Sequence, residues 1–87
     1  MKASFDISIY PLQENFENSI KNFIRKLRKT SFEIIETPLS TQIYGDFHEI
    51  MVWLDKNLYN TFMSEDHCVV SLKIIKGDRS EYKPFKD

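Results

Sequence analysis

The segment FDISIYPL, residues 5 to 12, places an acid, a hydroxyl and a phenol at alternating positions. Side chains alternate between the two faces of a β-strand, so Asp6, Ser8 and Tyr10 would share one face. A carboxylate accepts hydrogen bonds from an amine, a hydroxyl can donate to a ring nitrogen, and a phenol can cover a flat ring. A carboxylate and an aromatic face also attract positive charge. This row of residues could therefore hold a flat, nitrogen-containing ligand.

Composition restricts the classes of protein to which the chain could belong. Its 87 residues predict one domain, which can bury only about 60–65% of its unfolded surface. With 41% hydrophobic and 29% charged residues and no run of about 20 apolar residues, we expect a soluble globular protein without membrane contact. A net charge of −1 argues against nucleic acid as a partner. The first residues lack an export pattern and the lone Cys68 suits a reducing compartment, which predicts a cytoplasmic location.

Hydrophobic periodicity predicts six elements in the order β-α-β-β-α-β. A first strand ends at Pro11, and an apolar stripe with helical spacing follows it. Asp46 and Glu49 form a capping-box pattern at the start of the second helix. The predicted ranges after the first strand are a helix over 14–29, strands over 31–37 and 41–45, a helix over 46–63 and a strand over 67–76.

This element order predicts an α+β, ferredoxin-like βαββαβ sandwich. Right-handed crossovers give a four-stranded antiparallel sheet of order 4-1-3-2 with two helices on one face. We expect a single domain over residues 1–78 and a polar tail over 79–87. The strand that carries Asp6 is then central. The residues expected to face the helices are Phe5, Ile7, Ile9, Ile43, Val70, Leu72 and Ile74, and those expected on the open face are Ser4, Asp6, Ser8, Tyr10, Gln42, Tyr44, Val69, Ser71, Lys73 and Ile75.

An enzyme is the weaker interpretation of this row. The sequence offers no nucleophile paired with a base, no metal-ligand spacing and no glycine-rich phosphate loop, since the chain has only two glycines. We therefore expect no catalytic residues, no metal and no cofactor. Binding of a small molecule needs only complementary side chains. From the pattern alone, the simpler alternative is that these side chains form hydrogen bonds with one another across a homodimer interface.

Three stretches, FDISIYPL, PLSTQIYGDFHEIM and VSLKIIKGD, resemble the small thiamine- and hydroxymethylpyrimidine-binding family named after YkoF. The shared features are Ser-hydrophobe-Tyr-Pro-Leu on the first strand, Ser-Thr-Gln-hydrophobe-aromatic-Gly on the third, and an acidic start of the second helix. The resemblance covers nearly all of residues 2–78. Two features depart from the family pattern: His48 stands where an acidic residue is common, and the tail RSEYKPFKD has no counterpart.

The resemblance implies a protein that assembles through its sheets and holds thiamine or hydroxymethylpyrimidine without changing it. Asp6 would anchor the amino group of the ligand. Thr41 fits this set least well, because alternation points it toward the helices with Ile43. The full set of expected ligand-binding residues is Asp6, Ser8, Tyr10, Thr41, Gln42 and Tyr44.

Two other functions remain alternatives at this point. A homodimer or homotetramer could use the whole sheet face for assembly and bind no metabolite. An RNA-binding module of the same topology would stack bases on sheet aromatics, but Asp6 on the central strand and the negative net charge argue against it.

Overall fold

The computed structural model describes residues 1–12, 17–65 and 67–85. They form one sheet of four strands with two helices, and the order of elements along the chain is the predicted one. The strand order β2-β3-β1-β4 is the predicted 4-1-3-2 read in the opposite direction, which confirms the fold class. The elements are β1 (Lys2–Pro11), α1 (Glu17–Arg28), β2 (Glu33–Glu36), β3 (Thr41–Asp46), α2 (Phe47–Ser64) and β4 (Cys68–Lys76).

Strand β1 is central and pairs antiparallel with β3 on one side and β4 on the other. Asp6 lies between Gln42 of β3 and Lys73 of β4, so these three side chains share the open face. Pairing between β1 and β3 stops at Ile7 and Thr41. Pairing between β1 and β4 continues to Pro11. Residues 8–11 of β1 therefore have a strand partner on one side only, and the β2–β3 hairpin lies on the other side.

The core lies between the sheet and the helices. Aromatic contacts join the layers: the ring centroids of Phe5 and Phe47 are 6.1 Å apart, and those of Phe23 and Trp53 are 5.3 Å apart in an edge-on arrangement. Burial of these apolar side chains is the main stabilising contribution to such a fold. The buried core residues are Ala3, Phe5, Ile7, Phe23, Leu27, Ile43, Ile50 and Leu54.

Strand β4 departs from the expected core. Leu72 and Ile74 lie opposite Ile7 and Phe5 of β1, on the helix side as predicted, yet they are 37% and 42% exposed. Val70 is the β4 residue that packs against the core among those described. The helices pack mainly over β1 and β3, so the outer strand lies at the margin of their cover. Alternation gives the face of a residue but not its distance from the helices.

The ends of the elements follow local hydrogen bonding. Asp46 caps α2 and accepts a hydrogen bond from the Glu49 amide at 3.0 Å, as the capping pattern predicts. Helix α1 ends at Arg28, and the Thr30 hydroxyl donates to the Leu27 carbonyl at 2.7 Å. The Thr30 hydroxyl also accepts from the Phe32 amide, so residues 31 and 32 belong to this turn. Strand β2 therefore begins at Glu33 and is shorter than the predicted range of 31–37. Residues 14–16 of the predicted first helix lie outside the described residues.

Two polar residues lie on the buried face of α2. Asn57 donates to the Trp53 carbonyl at 2.8 Å, and Thr61 donates to the Asn57 carbonyl at 2.9 Å. Both side chains thereby meet their hydrogen-bonding requirement within their own helix. No helix in the described ranges is long and apolar enough to cross a lipid bilayer.

The segment after β4 attaches to the beginning of β1. The Gly77 amide donates to the Lys2 carbonyl at 2.9 Å, and Gly77 has a φ of 95°, which glycine adopts without strain. The Ser4 hydroxyl donates to the Gly77 carbonyl at 2.7 Å and accepts from the Arg79 amide at 2.8 Å. These bonds lie on both sides of the expected domain boundary at residue 78.

Candidate functional site

The β2–β3 hairpin brings a serine to the central strand. Thr37 organises the turn: its hydroxyl donates to the Ser40 carbonyl at 2.9 Å and accepts from the Ser40 amide at 3.1 Å. The Thr37 amide also donates to the Ser40 carbonyl, at 2.9 Å. Ser40 is thereby fixed just before β3, beside the part of β1 that carries Asp6.

A polar network joins this hairpin to Asp6. The Ser40 hydroxyl donates to Oδ1 of Asp6 at 2.5 Å, a length typical of hydroxyl–carboxylate hydrogen bonds. Nε2 of Gln42 lies 3.5 Å from the same oxygen and 3.2 Å from the Ser40 hydroxyl. All three side chains are half-buried. Within the described part of the chain, Oδ2 of Asp6 accepts no hydrogen bond, so this oxygen can accept one from a ligand.

The network lies in a wide depression of about 550 Å³ on the open face of the sheet, which we call the open-face basin. Its volume falls in the range of sites for small molecules. The lining of the basin includes a carboxylate and a lysine on neighbouring strands, four groups with hydroxyls, and two apolar side chains. The lining residues are Asp6, Ser8, Tyr10, Leu39, Ser40, Gln42, Ser71, Lys73 and Ile75.

Four of the six sequence-predicted residues thus come together in the basin: Asp6, Ser8, Tyr10 and Gln42. The Ser8 hydroxyl donates to the Leu39 carbonyl at 3.3 Å. The Tyr10 side chain is 52% exposed, so its ring is free to cover a bound molecule.

Tyr44 lies outside the basin lining, one row away beside Ser4. It is 8% exposed, and burial raises the pKa of its phenol, with further contributions from the negative charges of Asp6, Asp78 and Glu33. Because Ser4 bonds to both Gly77 and Arg79, the C-terminal segment lies at this end of the open face. The Tyr44 phenol therefore stays neutral near pH 7, and it lies beside the C-terminal segment and outside the basin.

Thr41 lies on the other side of the sheet, opposite Ile7. It lines a second cavity of about 220 Å³ between α1 and the β2–β3 hairpin, which we call the hairpin cavity. The floor of this cavity is apolar, and its rim carries hydroxyls from β1 and the hairpin. The lining residues are Ile7, Ser8, Ile9, Tyr10, Ile20, Phe23, Ile24, Thr37, Pro38, Leu39, Ser40 and Thr41.

Five lining residues of the basin are absent from the predicted binding set, and two of them, Ser40 and Lys73, lie beside Asp6. In the sequence Ser40 is only the first residue of the Ser-Thr-Gln motif, yet in the structure it makes the shortest hydrogen bond to Asp6. Alternation predicts the face of Lys73 but no role for it, and in the structure it is the β4 neighbour of Asp6. Strand order and alternation place Lys73 on the open face of the strand next to that of Asp6, and the register observed in the structure makes the two residues cross-strand neighbours.

The arrangement can recognise a polar ligand through hydrogen bonds and charge. Among the residues that the structure describes, no three His, Cys, Asp or Glu side chains are close enough to hold a metal ion. Burial raises the pKa of the Cys68 thiol, and the charge of Glu65 adds to this shift, so the thiol stays protonated near neutral pH. The open-face basin therefore offers hydrogen bonds, charge and aromatic cover.

Comparison with known protein families gives a match to the YKOF-related family over residues 2–77. The chain belongs to this family. The match covers β1 to β4 and includes the strands that form the basin, which confirms the resemblance drawn from the motifs. A search of curated proteins gave no match.

Solved structures with the same fold come from bacteria and archaea. A Streptococcus pneumoniae protein, SP2199, is 28% identical with a TM-score of 0.81, over 90% of this chain and 89% of that one. A Thermotoga maritima protein, whose name proposes a role in thiamine biosynthesis or salvage, is 22% identical with a TM-score of 0.76, over 85% and 82% of the two chains. A Methanocaldococcus jannascii protein of unassigned function is 24% identical with a TM-score of 0.75, over 94% and 87%. The last two likenesses concern the fold alone.

Proposed function

We propose that this YKOF-related protein binds thiamine or its hydroxymethylpyrimidine moiety in the open-face basin, at an interface between subunits, without chemical conversion. The observation that carries the proposal is the Asp6 carboxylate. Its Oδ1 accepts hydrogen bonds from Ser40 and Gln42, and its Oδ2 has no hydrogen-bond partner among the described residues. A carboxylate fixed in this way accepts a hydrogen bond from an exocyclic amine without first having to be ordered.

The aminopyrimidine ring matches the remaining groups of the basin. Its ring nitrogens accept hydrogen bonds, which the Ser8 hydroxyl and the Gln42 amide can donate. Tyr10 is exposed at the basin margin and can lie against the flat ring. Family membership and the name of the Thermotoga maritima protein support a thiamine-related ligand.

A second subunit would complete the site. The basin is a shallow depression on a sheet, and one wall alone leaves much of a small ligand in water. Exposed apolar side chains lie on the same face: Val69 is 48% exposed and Ile75 is 44% exposed. Covering them by a second copy would bury apolar area and close the basin around its ligand.

A binding role needs no reacting group, because complementary hydrogen bonds, charge and shape are sufficient. We therefore propose a carrier, store or sensor in place of an enzyme. Incubation with thiamine followed by mass spectrometry should return the compound unchanged. Detection of a cleaved or modified product that depends on Asp6 would contradict this part of the proposal.

Isothermal titration calorimetry with thiamine and with hydroxymethylpyrimidine tests the ligand. We expect saturable binding near one site per chain. Asp6→Ala should weaken it by about 1.5–3 kcal/mol, because it removes a hydrogen bond to a charged group. Glu33→Ala is a matched control, since Glu33 is an exposed carboxylate on the same sheet face outside the basin lining. Absence of heat with both compounds, from folded protein, would refute the proposal.

The exposed apolar groups also support a second candidate, a homo-oligomeric module that binds no metabolite. Ile75→Lys separates the two candidates when assembly is followed by analytical ultracentrifugation. If the protein is a pure interaction module, the Ile75→Lys variant should dissociate, and thiamine should not change the assembly of the unaltered protein. If the protein binds thiamine at the subunit interface, thiamine should strengthen the assembly of the unaltered protein, because the ligand stabilises the assembled state to which it binds.

A further inference from the structure

The two helices meet along a polar seam. Helices that lie side by side on a sheet usually bury apolar side chains where they meet. Here Phe23 and Trp53 form the aromatic contact between them. Beside it lies a cavity of about 140 Å³, which is lined largely by polar residues, among them Asn22, Asn57, Asn60, Thr61 and Ser64. Part of the contact between α1 and α2 is therefore a polar groove instead of a dry interface.

A larger depression of about 580 Å³ lies at the same seam, and we call it the helix groove. Its volume falls in the range of sites for small molecules. The helices cover one face of the sheet and the open-face basin lies on the other, and the two sites have no lining residue in common. The helix groove is therefore separate from the basin. Its lining includes Lys26, Lys29, Glu49, Trp53, Lys56 and Asn60.

Three ammonium groups border the helix groove. Lys26 and Lys29 come from the end of α1, and Lys56 comes from α2. Among the described residues, none of the three lies within salt-bridge distance of a carboxylate. Glu49 is the acid of the lining, so the groove is positively charged although the chain has a net charge of −1. An anion bound here would reduce the repulsion among the three lysines.

The two arginines at the end of α1 are engaged differently. Arg28 forms a bidentate ion pair with Glu36, with N–O distances of 2.7 and 2.9 Å. Arg25 donates to the Asn22 side chain at 3.4 Å. The basic residues over 25–29 are therefore not one uniform solvated end. The arginines have partners in the chain, and the lysines border the groove.

Trp53 gives the helix groove a flat apolar surface. Its indole is half-buried and meets Phe23 edge-on at a centroid distance of 5.3 Å, which restricts its orientation. An indole can pack against a flat ring of a ligand. Asn60 is exposed at the groove and carries an amide that can donate to a phosphate oxygen or accept from a ring amine. A ligand with both a flat ring and a negative group would use all of these side chains.

We propose that the helix groove binds a phosphate-bearing small molecule about the size of a mononucleotide, with its phosphate among Lys26, Lys29 and Lys56 and its ring against Trp53. Lysine binds phosphate as a point charge. A phosphate monoester carries a charge of about −2 near neutral pH, which three ammonium groups and one carboxylate would balance. This inference goes beyond the proposed function and does not depend on it.

The fluorescence of Trp53 provides the test, because the chain has a single tryptophan and its emission reports on this groove. Titration with adenosine monophosphate at low salt should change the emission saturably. Adenosine lacks the charge and should bind at least about tenfold more weakly, and inorganic phosphate lacks the ring and should compete only at about tenfold higher concentration. Raising the salt from about 50 to about 200 mM should weaken the binding of the nucleotide.

Lys56→Gln should weaken the binding of adenosine monophosphate roughly fivefold, because it removes one of the three charges. Lys56 is exposed, so the fold should tolerate the change, and an unchanged circular dichroism spectrum checks this. Lys76→Gln is the matched control, since Lys76 is an exposed lysine on β4 outside the lining of the groove. It removes the same charge from the chain and should leave the affinity unchanged.

The remaining outcomes would contradict the proposal. A folded protein that shows neither a change in emission nor heat on calorimetry with adenosine monophosphate has no such site. Equal losses in Lys56→Gln and Lys76→Gln would reduce the effect to net charge. Equal affinity for adenosine would overturn the role of the phosphate, and equal competition by inorganic phosphate would overturn the role of Trp53. Tighter binding of a short single-stranded RNA that depends on Lys56 would assign the groove to nucleic acid instead.

Discussion

The Ser40 hydroxyl and the Asp6 carboxylate, 34 residues apart in the chain, lie 2.5 Å apart. Ser40 belongs to the β2–β3 hairpin and Asp6 to the central strand, so the bond fixes the hairpin relative to the sheet. It also orients the carboxylate, leaving Oδ2 for another donor. A single serine therefore connects the position of a turn to the geometry of a candidate binding group.

Ser40→Ala should weaken thiamine binding by about 1 kcal/mol, roughly fivefold, because Asp6 loses the neutral hydroxyl donor that orients it. Calorimetry gives the affinity. Ser40→Thr keeps the hydroxyl and should restore most of the binding. Equal loss in both variants would mean that the hydroxyl does not act through Asp6.

The row Ile43–Phe5–Ile74 supplies a stability test with an internal control. Ile43 is fully buried, and Ile43→Ala should lower the free energy of unfolding by about 2–5 kcal/mol. Ile74 is 42% exposed, and Ile74→Ala should cost about 1 kcal/mol or less. Urea denaturation of both variants gives the two values. Similar losses would show that the exposed edge of β4 is covered in solution.

Asp46 caps α2, and its folded pKa lies below the ordinary value because the Glu49 amide and the amino-terminal ammonium stabilise the carboxylate. A lowered pKa contributes stability above the unfolded value of about 3.9 that is lost as pH falls through the folded pKa. Asp46→Ala should therefore lower the thermal midpoint by about 5 °C at pH 7 and by less in acid.

Scanning calorimetry at pH 7 and at acidic pH checks this dependence. Asp55→Ala is the control, since Asp55 is an exposed acid within the same helix. An equal shift at both pH values would contradict a role of the Asp46 charge.

Tyr44 predicts the alkaline behaviour of the protein. Its folded pKa is raised, mainly by burial, so above pH of about 10 the unfolded chain ionises before the folded one and stability falls. Urea titrations over this range should show the fall, and Tyr44→Phe should reduce it. Absorbance of the phenolate should also show one of the four tyrosines titrating later than the others in the folded protein.

The sequence predicted the sheet well because its two periodicities are strong. Alternation in FDISIYPL and the helical stripe ending at Leu27 specify which faces are apolar, and β-α-β-β-α-β order leaves few right-handed arrangements. The cap at Asp46 was predicted because its chemistry is local. Alternation and strand order predicted that Asp6 and Gln42 share the open face of neighbouring strands, and the observed register makes them direct cross-strand partners.

The parts that sequence did not predict depend on positions outside regular elements. Ser40 lies in a turn, where no periodicity assigns a face, so its bond to Asp6 could not be deduced. Tyr44 has the alternation of an open-face residue, but the attachment of Gly77 and Arg79 to Ser4 places the C-terminal segment beside it. The hairpin cavity arises where strand pairing stops, and a sequence gives no direct signal for the last pair of a ladder.

The attachment of Gly77 to Lys2 brings the two ends of the fold to one corner of the sheet. A short linker could join these ends while the chain is opened elsewhere, for example in the turn around Thr30 and Ser31 that links α1 to β2. Such a circular permutant would keep the sheet order and the residues of the basin. The position of the chain ends can therefore be changed without changing the sheet that positions Asp6.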